Sequence, residues 1–160
     1  MNCLPGGPGD ILARAVKRMS RIMTISSLLR IAATAQLAIA LLNLFLARLL
    51  DWKADLDRMP LLLREVFHVH CWFVSITLGI FGVTTLRFAD AMAASNNETC
   101  RWLTAGIGIF WAVRAMLQAT YYSSSHWRGR PVRTAMHVAL LATYGGLALI
   151  YSLSAFGNGS

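Results

Sequence analysis

Four apolar stretches, each long enough to cross a lipid bilayer, leave this chain few ways to fold. They cover about residues 28–50, 66–87, 102–122 and 135–156, and a hydrocarbon core about 30 Å thick requires roughly 20 helical residues. The connections "DWKADLDRMPLLLR", "FADAMAASNNETCR" and "SSSHWRGRPVRT" are short enough to join antiparallel neighbours. Pro60 and Pro131 sit near helix starts, where the missing N–H of proline costs nothing. The expected fold is all-α: an integral membrane, up-down-up-down four-helix bundle in which residues 26–160 form a single four-span domain.

Composition points the same way. The 160 residues are 56% hydrophobic and only 14% charged, whereas a soluble domain carries about 25% charge. The net charge of +8, from 15 basic and 7 acidic residues, would in a soluble protein invite a nucleic-acid reading. Here most cations flank apolar spans, which makes anionic lipid headgroups the nearer partner. No aromatic and basic interleaving suited to stacking bases is present, so no nucleic acid is expected. Cys3, Cys71 and Cys100 are odd in number, which excludes a fully paired disulfide framework within the chain.

Residues 1–25 read as a tail and an amphipathic leader. "NCLPGGPG" should be irregular, since its glycines and prolines do not sustain a helix. Asp10 then caps a helix reaching to about Thr24. Ile11, Ala15, Met19 and Ile22 recur at three- and four-residue steps, and Arg14, Lys17, Arg18 and Arg21 fall mostly off that stripe. Such a segment either lies in the headgroup plane or forms the positive flank of the first span.

By count of basic residues, orientation is a tie. Arg14, Lys17, Arg18, Arg21, Arg30, Arg87 and Arg101 fall on one side, and Arg48, Lys53, Arg58, Arg64, Arg128, Arg130 and Arg133 on the other. The dense leader cluster favours termini in the cytoplasm, in the cell inner or plasma membrane. "NET" at 97–99 and "NGS" at 158–160 match the glycosylation pattern, but nothing else indicates secretion.

Alternating spans bring all four histidines, His68, His70, His126 and His137, to the side opposite the N-terminus. His68 and His137 lie at similar depth below their helix starts, roughly 8–9 Å. Two imidazoles so placed on different helices are candidate ligands of a b-type haem iron, or half of another metal site. His70 is about 200° around the helix from His68, so one segment does not turn both onto one ion. The spacing Glu65-x-x-His68 also occurs in di-iron bundles, but those need several further carboxylates, which the spans lack.

Polar residues within the spans form stripes. Span two offers Glu65, His68, Trp72, Ser75, Gly79 and Gly82; span three Trp111, Arg114, Gln118 and Tyr121. Span four offers His137, Leu141, Tyr144, Ala148 and Tyr151, and span one the weaker Gln36, Ala40, Asn43 and Ala47. Polar groups facing lipid are costly, so the stripes are expected to converge on the bundle interior. Arg114, roughly 12 Å from its end of span three, needs an acid, an anionic ligand or a route to headgroups.

The plan, with histidines at helix ends of a small bundle, is similar to that of small b-type cytochromes and of copper-resistance membrane proteins. The likeness is one of plan, without a diagnostic motif. Three functional classes follow. In the first, the protein is a redox or electron-transfer protein with haem or metal on His68 and His137, and with Arg114, Gln118 and Tyr144 orienting an anionic or carbonyl group. In the second, it is a transporter or channel component for a proton or small solute. In the third, it is a non-catalytic accessory subunit of a larger membrane complex, or a homo-oligomer.

Overall fold

The computed structural model describes residues 8–49, 56–121 and 131–157. It contains helix α1 over Pro8–Leu49, α2 over Leu61–Ala94, α3 over Glu98–Thr120 and α4 over Pro131–Phe156. The protein is thus all-α, with four helices long and apolar enough to cross a membrane. Cys3, His126 and most of the first and third connections lie outside the described residues.

Local chemistry accounts for the helix boundaries. Proline occupies the first position of α1 and of α4, and Pro60 immediately precedes α2. Asp10 therefore falls in the first turn of α1 rather than at its cap. Neither Gly nor Pro occurs between Asp10 and Leu49, so nothing stops propagation once the helix has nucleated. Leader and first span form one continuous helix, about 63 Å long at 1.5 Å per residue.

Helix α3 opens on Asn97, whose Oδ1 accepts from the Thr99 N–H at 2.8 Å while Glu98 lies in the first turn. The glycosylation-like "NET" is thereby a helix N-cap, which needs this chemistry for its own sake. At the far end of α2, Ser95 adopts φ 49°, a left-handed terminating residue that is usually glycine. Its Oγ donates to the Ser154 carbonyl at 2.6 Å, and its N–H bonds Ala91 O at 3.2 Å.

The described residues group into two compact units. One joins the chain up to Leu29 with the part from Ala89 onward, and the other is Arg30–Phe88. Phe88, with φ −117° and ψ 19°, is the one non-helical residue inside α2.

In the Arg30–Phe88 unit the two helical segments run antiparallel. Asn43 Nδ2 donates to Cys71 O and to Ser75 Oγ, each at 2.9 Å, while Ser75 Oγ donates to Cys71 O at 2.8 Å. Gly82 packs against Leu37 and the Ala33 carbonyl. The buried face of this part of α2 carries Ser75, Leu78, Gly82 and Thr85. The outer members of the expected stripe, Glu65, His68 and Trp72, are exposed. Small residues set this interface because they let the partner backbone approach; the bulky polar ones turn outward.

A Cβ at Gly82 would lie 2.8 Å from Leu37 Cγ and 3.2 Å from Ala33 O, whereas one at Gly79 meets nothing within 4 Å. Gly82→Ala is expected to destabilise the protein by about 1–3 kcal/mol through overpacking. Gly79→Ala should be neutral or gain up to about 1 kcal/mol of helix propensity. Thermal unfolding in detergent measures both; equal midpoints for the two variants would remove Gly82 from the interface.

In the other unit α3 and α4 pack antiparallel around Thr104, Ile107, Trp111, Leu147, Tyr151 and Ser154, all buried. Gly108 admits the Tyr151 side chain, since a Cβ there would be 3.2 Å from Tyr151 Cβ. The tail of α2 adds Ala89, Met92 and Ala93, and the first part of α1 adds Ser26 and Leu29. Ser26 Oγ donates to the Asp90 carboxylate, and Ser154 Oγ donates to Met92 O at 3.0 Å. Tyr121, expected on the inner stripe of span three, is exposed because it lies past the last turn of α3.

Candidate functional site

Helical spacing places Trp111, Arg114 and Gln118 on one face of α3, three and four residues apart, and His137 and Tyr144 on one face of α4, two turns apart. Antiparallel packing sets the two faces against each other. The Trp111 ring stacks on the Tyr144 ring with centroids 5.4 Å apart and planes inclined by 27°. The Arg114 guanidinium carbon lies 4.7 Å from the same Tyr144 ring centroid. Arg114 Nη1 donates to Gln118 Oε1 at 3.1 Å, and Gln118 Nε2 lies 3.0 Å from His137 Nδ1. Trp111 is 1%, Gln118 3% and Tyr144 6% exposed, and Arg114 and His137 are half-buried.

This row of bonds has a fixed direction. A guanidinium has only donors, so the Gln118 oxygen must face Arg114 and the amide N–H₂ must face His137. Rotating the amide would set donor against donor. His137 Nδ1 therefore accepts, and the neutral ring carries its proton on Nε2. Arg114 is held by a neutral oxygen and an aromatic face, and it forms no ion pair with a carboxylate among the described residues. The cluster is thus a delocalised positive charge joined to a polarised row of donors, an arrangement suited to oxygen acceptors.

His68, the other expected ligand, belongs to the Arg30–Phe88 unit and is exposed. Its Nδ1 is 2.7 Å from Arg64 O. A carbonyl only accepts, so Nδ1 carries a proton, and in the neutral ring Nε2 then keeps its lone pair. That is the usual orientation of a metal-ligating imidazole, and it is opposite to the polarity of His137. His70 is exposed, and His126 lies outside the described residues. Among the described residues no three His, Cys, Asp or Glu side chains gather as a metal centre would need.

Of the residues singled out from sequence, Arg114, Gln118, His137 and Tyr144 stand together. Trp111 belongs with them as the stacking partner of Tyr144. The Ser26–Asp90 and Ser95–Ser154 contacts had no sequence signal beyond polar residues near helix ends, because each joins elements far apart in the chain.

No protein-family model matches the sequence, and neither curated proteins nor solved structures provide a match.

Proposed function

We propose that this chain is a small integral membrane protein whose α3–α4 face holds the carbonyl or carboxylate oxygens of a small membrane-soluble cofactor or solute. Membrane placement is supported by the four long apolar helices and by the many large apolar side chains left exposed along them, such as Ile76, Ile80, Ile109 and Leu149. Soluble monomers rarely leave so many large apolar side chains uncovered along each helix.

The observation that carries the ligand assignment is Arg114. Its charge lies four helical turns into α3, and among the described residues it meets only a neutral hydrogen-bond partner and a π face. A guanidinium in an apolar span without a carboxylate calls for an acceptor-rich partner. It retains four N–H donors beyond the one given to Gln118. The Gln118–His137 row restrains that side of the site, so binding requires little reorganisation.

Binding of a short-chain quinone and of a medium-chain fatty acid tests this reading. Titration of the purified protein in neutral detergent should quench or shift the tryptophan fluorescence, with the Trp111 contribution identified by Trp111→Phe. Arg114→Met should weaken binding of at least one probe about tenfold or more, the loss expected for a charged hydrogen bond worth 1.5–3 kcal/mol. Binding of neither probe, or equal binding by the variant, rejects the assignment.

An electron-transfer reading with haem or another metal retains one specific support, the Nδ1–H bond of His68 to Arg64 O, which in the neutral ring directs the Nε2 lone pair outward. At His137 the same chemistry would require reversing the Gln118 amide. Oxidised and reduced absorption spectra with metal analysis separate the two readings. A Soret band lost in His68→Ala favours the haem, whereas a colourless protein that binds the acceptor probes favours the Arg114 site.

A further inference from the structure

An open groove of about 780 Å³ runs along the outer part of α1, bounded by Arg14 and Arg18 at one end and by Ser26 and Asp90 at the other, with Met19, Ile22 and Met23 between them. Its level is fixed by two contacts. Arg18 Nη2 donates to Asn96 Oδ1 and Arg21 Nη1 donates to Gly157 O, each at 3.3 Å. Asn96 lies between α2 and α3, and Gly157 directly follows α4. Arg18 and Arg21 therefore stand where the neighbouring helices end. Arg14 is one turn farther out, and Met19 to Met23 descend about 6 Å toward the interior.

Charge and polarity along this groove are ordered as in an amphiphile. The outer turns of α1 carry Arg14, Lys17, Arg18 and Arg21 against a single acid, Asp10. Neither Arg14 nor Arg18 forms an ion pair among the described residues. The middle of the groove is unbranched thioether and aliphatic, with Met19 64% and Met23 67% exposed; such side chains adapt to an irregular apolar partner. The serines at the inner end are already bonded, Ser27 to Met23 O at 3.0 Å and Ser26 to Asp90, so they present no unsatisfied donor to a hydrocarbon chain.

We propose that this groove holds one anionic phospholipid, its phosphate on Arg14 and Arg18 and an acyl chain along Met19, Ile22 and Met23. The assignment rests on membrane placement but not on the α3–α4 site. Cations at the headgroup level attract anionic lipid, and the apolar floor directly below them selects a lipid over a bare anion.

Native mass spectrometry of the protein released from nanodiscs of phosphatidylcholine containing a minority of phosphatidylglycerol tests it. The wild-type chain should retain about one phosphatidylglycerol in preference to phosphatidylcholine. Arg14→Gln with Arg18→Gln should lower that retention roughly thirtyfold, from about 1 kcal/mol per basic residue near the surface. Lys17→Gln with Arg101→Gln removes the same charge outside the groove and should leave retention within about twofold. Ile22→Trp fills the groove, keeps both arginines and should also abolish retention.

Equal losses for the two double variants would reduce the effect to diffuse electrostatics and overturn the site. Displacement of the lipid by millimolar inorganic phosphate would show a bare-anion site and overturn it as well. A lipid-free dimer that Ile22→Trp dissociates would assign the groove to a second copy of the chain instead. Failure of the chain to enter nanodiscs at all would overturn membrane placement, a separate result from loss of the adduct.

Discussion

Trp111→Ala is expected to lower the unfolding free energy by about 3 kcal/mol or more, within the range for emptying a buried aromatic position. The indole is almost wholly buried, stacks on Tyr144 at 5.4 Å and meets Phe110 edge-on at 5.5 Å. The cavity left by the indole removes packing contacts that nothing replaces. The effect should reach the site, because Tyr144 then loses the ring that holds it against Arg114. Trp72→Ala is the control: its indole is exposed, and the change should cost no more than about 0.5 kcal/mol. Denaturant unfolding in mixed micelles measures the difference, and equal costs at the two positions would refute the packing assigned to α3 and α4.

Substitutions at Gln118 test the direction of the hydrogen-bond row. Gln118→Leu leaves the His137 Nδ1 acceptor and one Arg114 donor without their partner, at an expected cost of about 1–3 kcal/mol. Gln118→Glu is more informative. The carboxylate still accepts from Arg114, but an oxygen now faces His137 Nδ1 where an N–H₂ stood. Acceptor meets acceptor unless Nδ1 is protonated, either by the ring proton moving from Nε2, which frees that lone pair, or by uptake of a second proton beside the carboxylate. Nitrogen NMR of imidazole-labelled protein should show the Nε2-protonated tautomer in the wild type and a protonated Nδ1 in Gln118→Glu. An unchanged pattern of ring nitrogens would mean that the amide does not set the tautomer. Where the ring stays neutral, the same exchange should make His137 a better metal ligand than it is in the wild-type chain, which reverses the usual expectation for a mutation at a supporting residue.

Much of the grouping around Arg114 was legible in the sequence. Arg114 and Gln118 are four residues apart, and His137 and Tyr144 seven apart, so each pair shares a helix face whatever the helix packs against. Span alternation then brings the two pairs to the same end of adjacent helices. Polarity was not legible, because it depends on which atom of an amide meets which atom of a ring. Nor was the outward turn of His68 and Trp72. On α2 the polar stripe and the buried face differ by a fraction of a turn, and the small side chains Ser75 and Gly82 decide between them by letting α1 approach.

The sequence by itself determined the helical class, the number of the apolar helices and the prolines at which two of them start. Those follow from local properties: hydropathy over about twenty residues and prolines at helix starts. Only the tertiary structure decided that the leader continues α1 beside the tail of α2, that Ser26 meets Asp90, and that Arg114, Gln118 and His137 form a row with one direction. These features require residues distant in the chain to meet within hydrogen-bond range. Helix periodicity says which face a residue occupies, but the fraction of a turn and the ångström that make or break such a bond are set by the packing of one helix on another.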